Sequence, residues 1–136
     1  MPEFRLNDFR VMASDRMRFH YNEKRRVMIR RFSGNVSLEE VVDSLNEVIR
    51  NGIFIEKVKG LLLDCSNAHL DFSATEYRQI VNYFGENIDF FKKFKLGFVA
   101  NTPHNIVIAM LIEQADDRYI FRPFTSIEAA MVWCGF

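Results

Sequence analysis

The stretch Val58 to Asp64 contains Leu61-Leu62-Leu63, an apolar run with no polar alternation. A strand with one wet face alternates with a period of two. An unalternating run belongs to a strand covered on both faces. The chain must therefore supply layers on both sides of a sheet. Leu96 to Ala100 reads as the next central strand, and Tyr119 to Phe124 as another.

Helices separate these strands. Ser37 and Glu40 form a capping box, with Val36 and Val41 as its hydrophobic staple. Leu38, Val41, Val42, Leu45, Val48 and Ile49 then recur at helical spacing, and Gly52 is a natural terminator. Ser73-Ala74-Thr75-Glu76 repeats the box, with Phe72 and Tyr77 as staple and Ile80, Val81 and Phe84 as the stripe. Thr102-Pro103 places a cap before a proline at the first helical position. Thr125-Ser126-Ile127-Glu128 reads as a third box, opening a short helix that Gly135 ends.

Ahead of this alternation, Met17, Phe19 and Tyr21 alternate with Arg16, Arg18 and His20. Asn22-Glu23-Lys24 is a turn, and Arg26 to Phe32 is the hairpin partner. A short strand through Phe4-Arg5-Leu6 is also expected, with residues 1–15 as an N-terminal extension. The reading is one α/β domain over 1–136. It has a mostly parallel four- to five-stranded sheet, an N-terminal β-hairpin and flanking helices.

With 49% hydrophobic residues and 14 Phe, the chain has ample apolar area for a core, which excludes disorder. Lys+Arg and Asp+Glu are both 18, which argues against a nucleic-acid binder relying on overall positive charge. The charge is uneven, with 9 basic and 4 acidic residues in 1–31 against 9 and 14 in the remainder. Arg16, Arg18, Lys24, Arg25, Arg26, Arg30 and Arg31 form the dense part. They read as a solvated edge hairpin guarded by charge, or as a docking surface for an acidic partner. Cys65 and Cys134 make no disulfide framework and fit a reducing cytoplasm. Met1-Pro2-Glu3-Phe4-Arg5 has no basic stretch leading into an apolar one. The longest apolar run, Ile106 to Ile112, is far short of the roughly 20 residues that span a bilayer.

Ile29-Arg30-Arg31-Phe32-Ser33-Gly34, Leu61 to Ala68, Leu96-Gly97-Phe98-Val99-Ala100, and Phe124 with Ala129 to Trp133 resemble the bacterial STAS-like proteins. These are related to anti-sigma-factor antagonists and are grouped with SEC14-type domains. The resemblance covers about residues 16–136. It implies a STAS-like fold and a non-enzymatic module that binds a partner protein. The family's phosphorylated serine lies in an Asp-Ser-Ser/Thr-Gly stretch, which falls on Phe72-Ser73-Ala74-Thr75. Phe72 replaces the aspartate, Ala74 the usually phosphorylated residue and Thr75 the glycine. Ser73 and Thr75 keep hydroxyls, but the phospho-switch motif is absent. The SEC14 branch implies an apolar ligand instead.

Function in a parallel sheet collects beyond the carboxyl ends of the strands. Three loops are expected there: Ser33-Gly34-Asn35, Asp64-Cys65-Ser66-Asn67 and Asn101-Thr102-Pro103-His104. The candidate ligand- or partner-binding residues are Asp64, Cys65, Ser66, Asn67, Ser73, Asn101, Thr102 and His104. Asp64 ends an apolar strand and needs hydrogen bonds, either from backbone N–H groups or in the service of a site. Cys65 and His104 follow neighbouring strands. They could form a hydrolase dyad oriented by Asn67 or Asn101, although a lone buried cysteine is usually a small hydrophobe. Ser73, His69 and Asp71 lie too close along one loop for easy triad geometry. No metal-binding spacing, glycine-rich phosphate loop or cofactor motif is present.

The helix 103–114 is apolar on all sides through Ile106 to Ile112, whereas a helix on a sheet needs one wet face. Its second face is expected to meet the N-terminal segment with Phe4, Leu6 and Phe9, a second copy in a homodimer, or a small apolar ligand. Phe90, Phe91 and Phe94, interrupted by Lys92 and Lys93, are a second candidate patch. They would pack where helix and strand converge, or rest on a membrane surface.

Overall fold

The computed structural model describes residues 17–50 and 57–135. The expectations for Phe4-Arg5-Leu6, for the N-terminal segment over the apolar helix, for Arg16 and for Gly52 lie outside these residues. Five strands form one sheet: β1 (Met17–Asn22), β2 (Val27–Val36), β3 (Gly60–Leu70), β4 (Lys95–Val99) and β5 (Phe121–Phe124). Their order across the sheet is their order along the chain. β1 runs antiparallel to β2, and β2 to β5 are mutually parallel.

The helices are α1 (Leu38–Arg50), α2 (Tyr77–Glu86), α3 (Ile88–Phe91), α4 (Pro103–Ala115) and α5 (Ile127–Cys134). A sequential strand order with crossovers of one hand puts α1, α2 and α4 on the same face. Leu45, Phe84 and Ile108 from these helices pack there with Leu61, Leu63, Leu96 and Phe98. The opposite face carries Val27, Ile29, Leu62 and Val99 under α5. The leucine run therefore splits as an unalternating run must: Leu61 and Leu63 to one layer, Leu62 to the other. Each buried leucine contributes about 2 kcal/mol.

Helix α5 can lie close to the sheet because two strand residues are glycines. A Cβ on Gly60 would stand 2.6 Å from Cys134 Cβ and 2.8 Å from its carbonyl oxygen. One on Gly97 would stand 2.7 Å from Cys134 Sγ.

The capping chemistry builds most helix starts. Glu40 N donates to Ser37 Oγ at 3.1 Å, and Ser37 N donates to Glu40 Oε1 at 3.3 Å. The second box opens a 3-10 turn (Ala74–Glu76) that leads into α2. The third start differs from expectation. Ser126, not Thr125, caps α5, accepting from Ala129 N at 3.2 Å. Ala129 then occupies the third helical position, so Glu128 does not complete a box.

Three further expectations are corrected. Ser33-Gly34-Asn35 is not a loop, and Asp64 to Asn67 does not end the third strand. β2 and β3 remain paired from Ser33↔Asn67 to Val36↔Leu70, while β4 stops opposite Asp64. Among the described residues, the two strands thus continue as a ribbon past β1 and β4. A register shift between Arg31 and Ser33 allows this, and Gly34 nearby takes a positive φ of 71°. Arg30 also departs from the solvated-hairpin reading. It is 0% exposed on the helix face, where its Nη2 meets Glu47 Oε2 at 3.1 Å and donates to Ser44 O at 3.2 Å. Strand parity forces this, because Met28, Arg30 and Phe32 share one face.

Candidate functional site at the carboxyl ends of the strands

Asp64 is 7% exposed on the α5 side of the sheet. Its Oδ1 accepts from Ser66 N at 3.0 Å and from Ser66 Oγ at 2.7 Å. Its Oδ2 lies 3.6 Å from Arg31 Nε, on the strand beside it. The carboxylate is therefore satisfied by its own strand and by a half-exposed guanidinium, as a buried charge requires. Arg31, Asp64, Val99 and Phe124 stand side by side across four strands.

Cys65 points to the other face and is buried in the main core with Ala68, Leu70 and Ala100. Burial pushes its thiol well above the usual range, and Asp64 pushes it in the same direction. This is the reverse of the electropositive, accessible setting that activates a cysteine. His104 Nε2 donates to Leu70 O at 2.8 Å, so its bond runs to the ribbon and not to the thiol. Its ring stacks on His69 with centroids 4.9 Å apart.

Asn105, which sequence reasoning passed over, holds the ribbon. It is 0% exposed. Its Nδ2 donates to Ala68 O at 2.9 Å, and its Oδ1 accepts from Leu70 N at 3.1 Å. Among the described residues, no strand lies beside the β4-side edge of β3 beyond Asp64, and this amide supplies a donor and an acceptor there. An amide in the first turn of an apolar helix was the available signal, because a buried one must find partners.

The other candidates are dispersed. Ser73 N and Oγ both donate to Glu76 Oε1, at 3.1 and 3.0 Å, and its hydroxyl pairs with Thr75 Oγ1 at 2.8 Å. Thr102 Oγ1 accepts from Asn105 N at 3.4 Å as the α4 cap. Asn67 and Asn101 are exposed. The structure thus gathers Arg31, Asp64 and Ser66 in one cluster, and His69, His104 and Asn105 in another. Among the described residues, no group of three or more His, Cys, Asp or Glu is placed to hold a metal ion. Among them, too, no helix is long and apolar enough to cross a membrane.

Helix α4 buries Ile108, Ala109 and Ile112, while Val107 is 48% and Met110 43% exposed. Beside them runs an open groove of about 320 Å³ lined by Ile106, Met110, Pro123, Phe124, Thr125 and Ala129. It lies between α4, the end of β5 and the start of α5.

No family model and no curated protein sequence matches the chain.

Proposed function

We propose that this chain is a non-enzymatic interaction module of the STAS-like type, binding a partner protein or a second copy through the apolar surface of α4. The observation that carries the reading is the exposed Val107–Met110 pair beside the groove at Pro123 and Phe124. These two residues lie three apart and so share one helix face. A helix that already buries Ile108, Ala109 and Ile112 has no structural need of apolar residues on its outer side.

The polar candidates support the same reading. Asp64, Ser66, Thr102, His104 and Asn105 all make bonds that the fold uses, and Cys65 is a core thiol. The sequential order of β2 to β5 also has no point where the strand order reverses, the feature that opens a ligand crevice in doubly wound sheets. With Ala74 at the usual phosphoserine position, regulation is proposed to act by association alone.

Replacing both Val107 and Met110 by Glu tests the reading. Light scattering and affinity capture are expected to show loss of association with an unchanged melting temperature. Retained association, or substrate turnover by the purified protein, contradicts it. A second reading, a carrier of a small apolar ligand, is favoured by the size and lining of the same groove. Native mass spectrometry after gentle extraction is then expected to show a bound lipid that Met110→Glu removes.

A further inference from the structure

The basic hairpin and the Lys92-Lys93 pair are far apart in sequence, yet they belong to one surface. The β1–β2 turn brings Lys24, Arg25 and Arg26 to the amino end of β2. Lys59 N donates to Arg26 O at 2.7 Å, which sets Lys57 and Lys59 beside that turn. Lys95 N donates to Lys59 O at 3.1 Å, which sets Lys92 and Lys93 next in line at the start of β4. Lys24, Arg25, Arg26, Lys57, Lys59, Lys92 and Lys93 are all exposed. Three adjacent strands thus present seven cations along one end of the sheet. Among the described residues, the acidic groups nearest these cations are Glu23 in the turn and Asp89, which lies 3.4 Å from Lys92, with Asp117 exposed ahead of β5. Glu86 and Asp116 gather with Arg118 around a separate hollow between α2 and the β5 approach.

We propose that this end of the molecule is a peripheral docking surface for an anionic lipid bilayer. Two observations select that partner. Five of the seven cations are lysines, and lysine is depleted in protein–protein interfaces, where arginine is enriched. Ammonium groups act as hydrated point charges, suited to diffuse attraction by a charged surface without bidentate geometry. Beside Lys92, Phe90 is half-buried on α3 and stacks edge-on against Phe91 and Phe94 at 5.0 and 5.4 Å, an anchored ring at the border of the charged surface. The surface lies at the opposite end of the strands from the Asp64 and His104 clusters. It does not depend on the α4 groove.

Co-sedimentation of the full chain with vesicles tests the proposal. One vesicle set is phosphatidylcholine, and the other contains about one-third phosphatidylglycerol. Binding is expected to the second set only, and to be lost in about 1 M salt, where the screening length is about 3 Å. Each lysine replaced by Glu is expected to weaken binding about fivefold or more, so Lys59→Glu with Lys93→Glu gives at least about a 25-fold loss. Arg78→Glu, away from this end, is expected to have little effect. Circular dichroism of each variant verifies folding, which these exposed sites should preserve. Equal binding to both vesicle sets, or unchanged binding by the Lys59→Glu/Lys93→Glu variant, overturns the proposal. So does preferential binding to single-stranded DNA, or low-salt self-association abolished by the same substitutions in place of vesicle binding.

Discussion

Replacing Asn105 by Ala removes the amide that closes the β3 edge. Two backbone groups, Ala68 C=O and Leu70 N–H, then lose their partners at sites 7% and 2% exposed. An unsatisfied buried group costs about 1–3 kcal/mol. The better helix propensity of Ala returns about 0.5 kcal/mol. The net loss is about 3 kcal/mol, a melting-temperature drop of about 10 °C for a domain of this size. Urea unfolding followed by circular dichroism measures it. Hydrogen exchange at the Leu70 amide is expected to accelerate. Asn101→Ala, at an exposed site, is expected to stay within about 0.5 kcal/mol. Asn105→Asp gives a second signature. Its carboxylate can still accept from Leu70 N–H but faces Ala68 O without a proton. Protonation restores a donor, so the folded pKa of the new carboxyl should exceed its unfolded value. The variant should then gain stability relative to the parent as pH falls through that folded value. A loss under about 1 kcal/mol for Asn105→Ala, with no pH dependence in Asn105→Asp, would refute the edge-closing role.

Further outcomes follow from other sites. Glu47→Ala leaves Arg30 buried with its carboxylate partner removed and is expected to cost about 3–5 kcal/mol, while Arg30→Met with Glu47→Leu recovers much of it in denaturant titrations. Gly60→Ala forces a methyl against the Cys134 backbone and should cost about 2–3 kcal/mol by the same assay. Burial pushes Cys134, Tyr83 and Tyr119 up to about 12. Groups raised on folding stabilise fully below their unfolded values and lose that contribution as pH rises through the folded ones. Unfolding free energy should therefore decline from about pH 9 upward, and both cysteines should resist a thiol reagent until the chain unfolds. Arg26 holds a φ of 58° in the hairpin turn, so Arg26→Gly is expected to stabilise by about 1 kcal/mol in thermal melts.

The layered fold was legible because burial and capping are local signals. Leu61-Leu62-Leu63 demanded two covered faces, and Ser37, Thr102 and the Ser73 box marked helix starts within a residue. The ribbon was not legible. Ser33-Gly34-Asn35 has turn composition, and only the pairing with Asn67 to His69 makes it strand. Arg30 beside Arg31 looked like surface charge, although strand parity sends the two to opposite faces. At the candidate site, Asp64 and His104 carry their chemistry in their residue type, but their partners do not. Arg31 reaches Asp64 only through the pairing of β2 with β3, and His104 meets Leu70 O only because the ribbon continues past the register shift. Asn105 opens the apolar helix, and its two partners lie 37 and 35 residues earlier. The basic end of the sheet is divided among three segments, so along the chain the hairpin and Lys92-Lys93 look like unrelated features and Lys57 and Lys59 like neither.

The outer side of α4 is proposed as a protein-docking face. A photo-cross-linking side chain at Met110, activated in cells producing the full chain, captures whatever rests on it. The predicted result is one discrete adduct with a protein, a second copy included, that the same probe at Arg78 does not give. Identical adducts from both positions, or adducts with lipid alone, would contradict it.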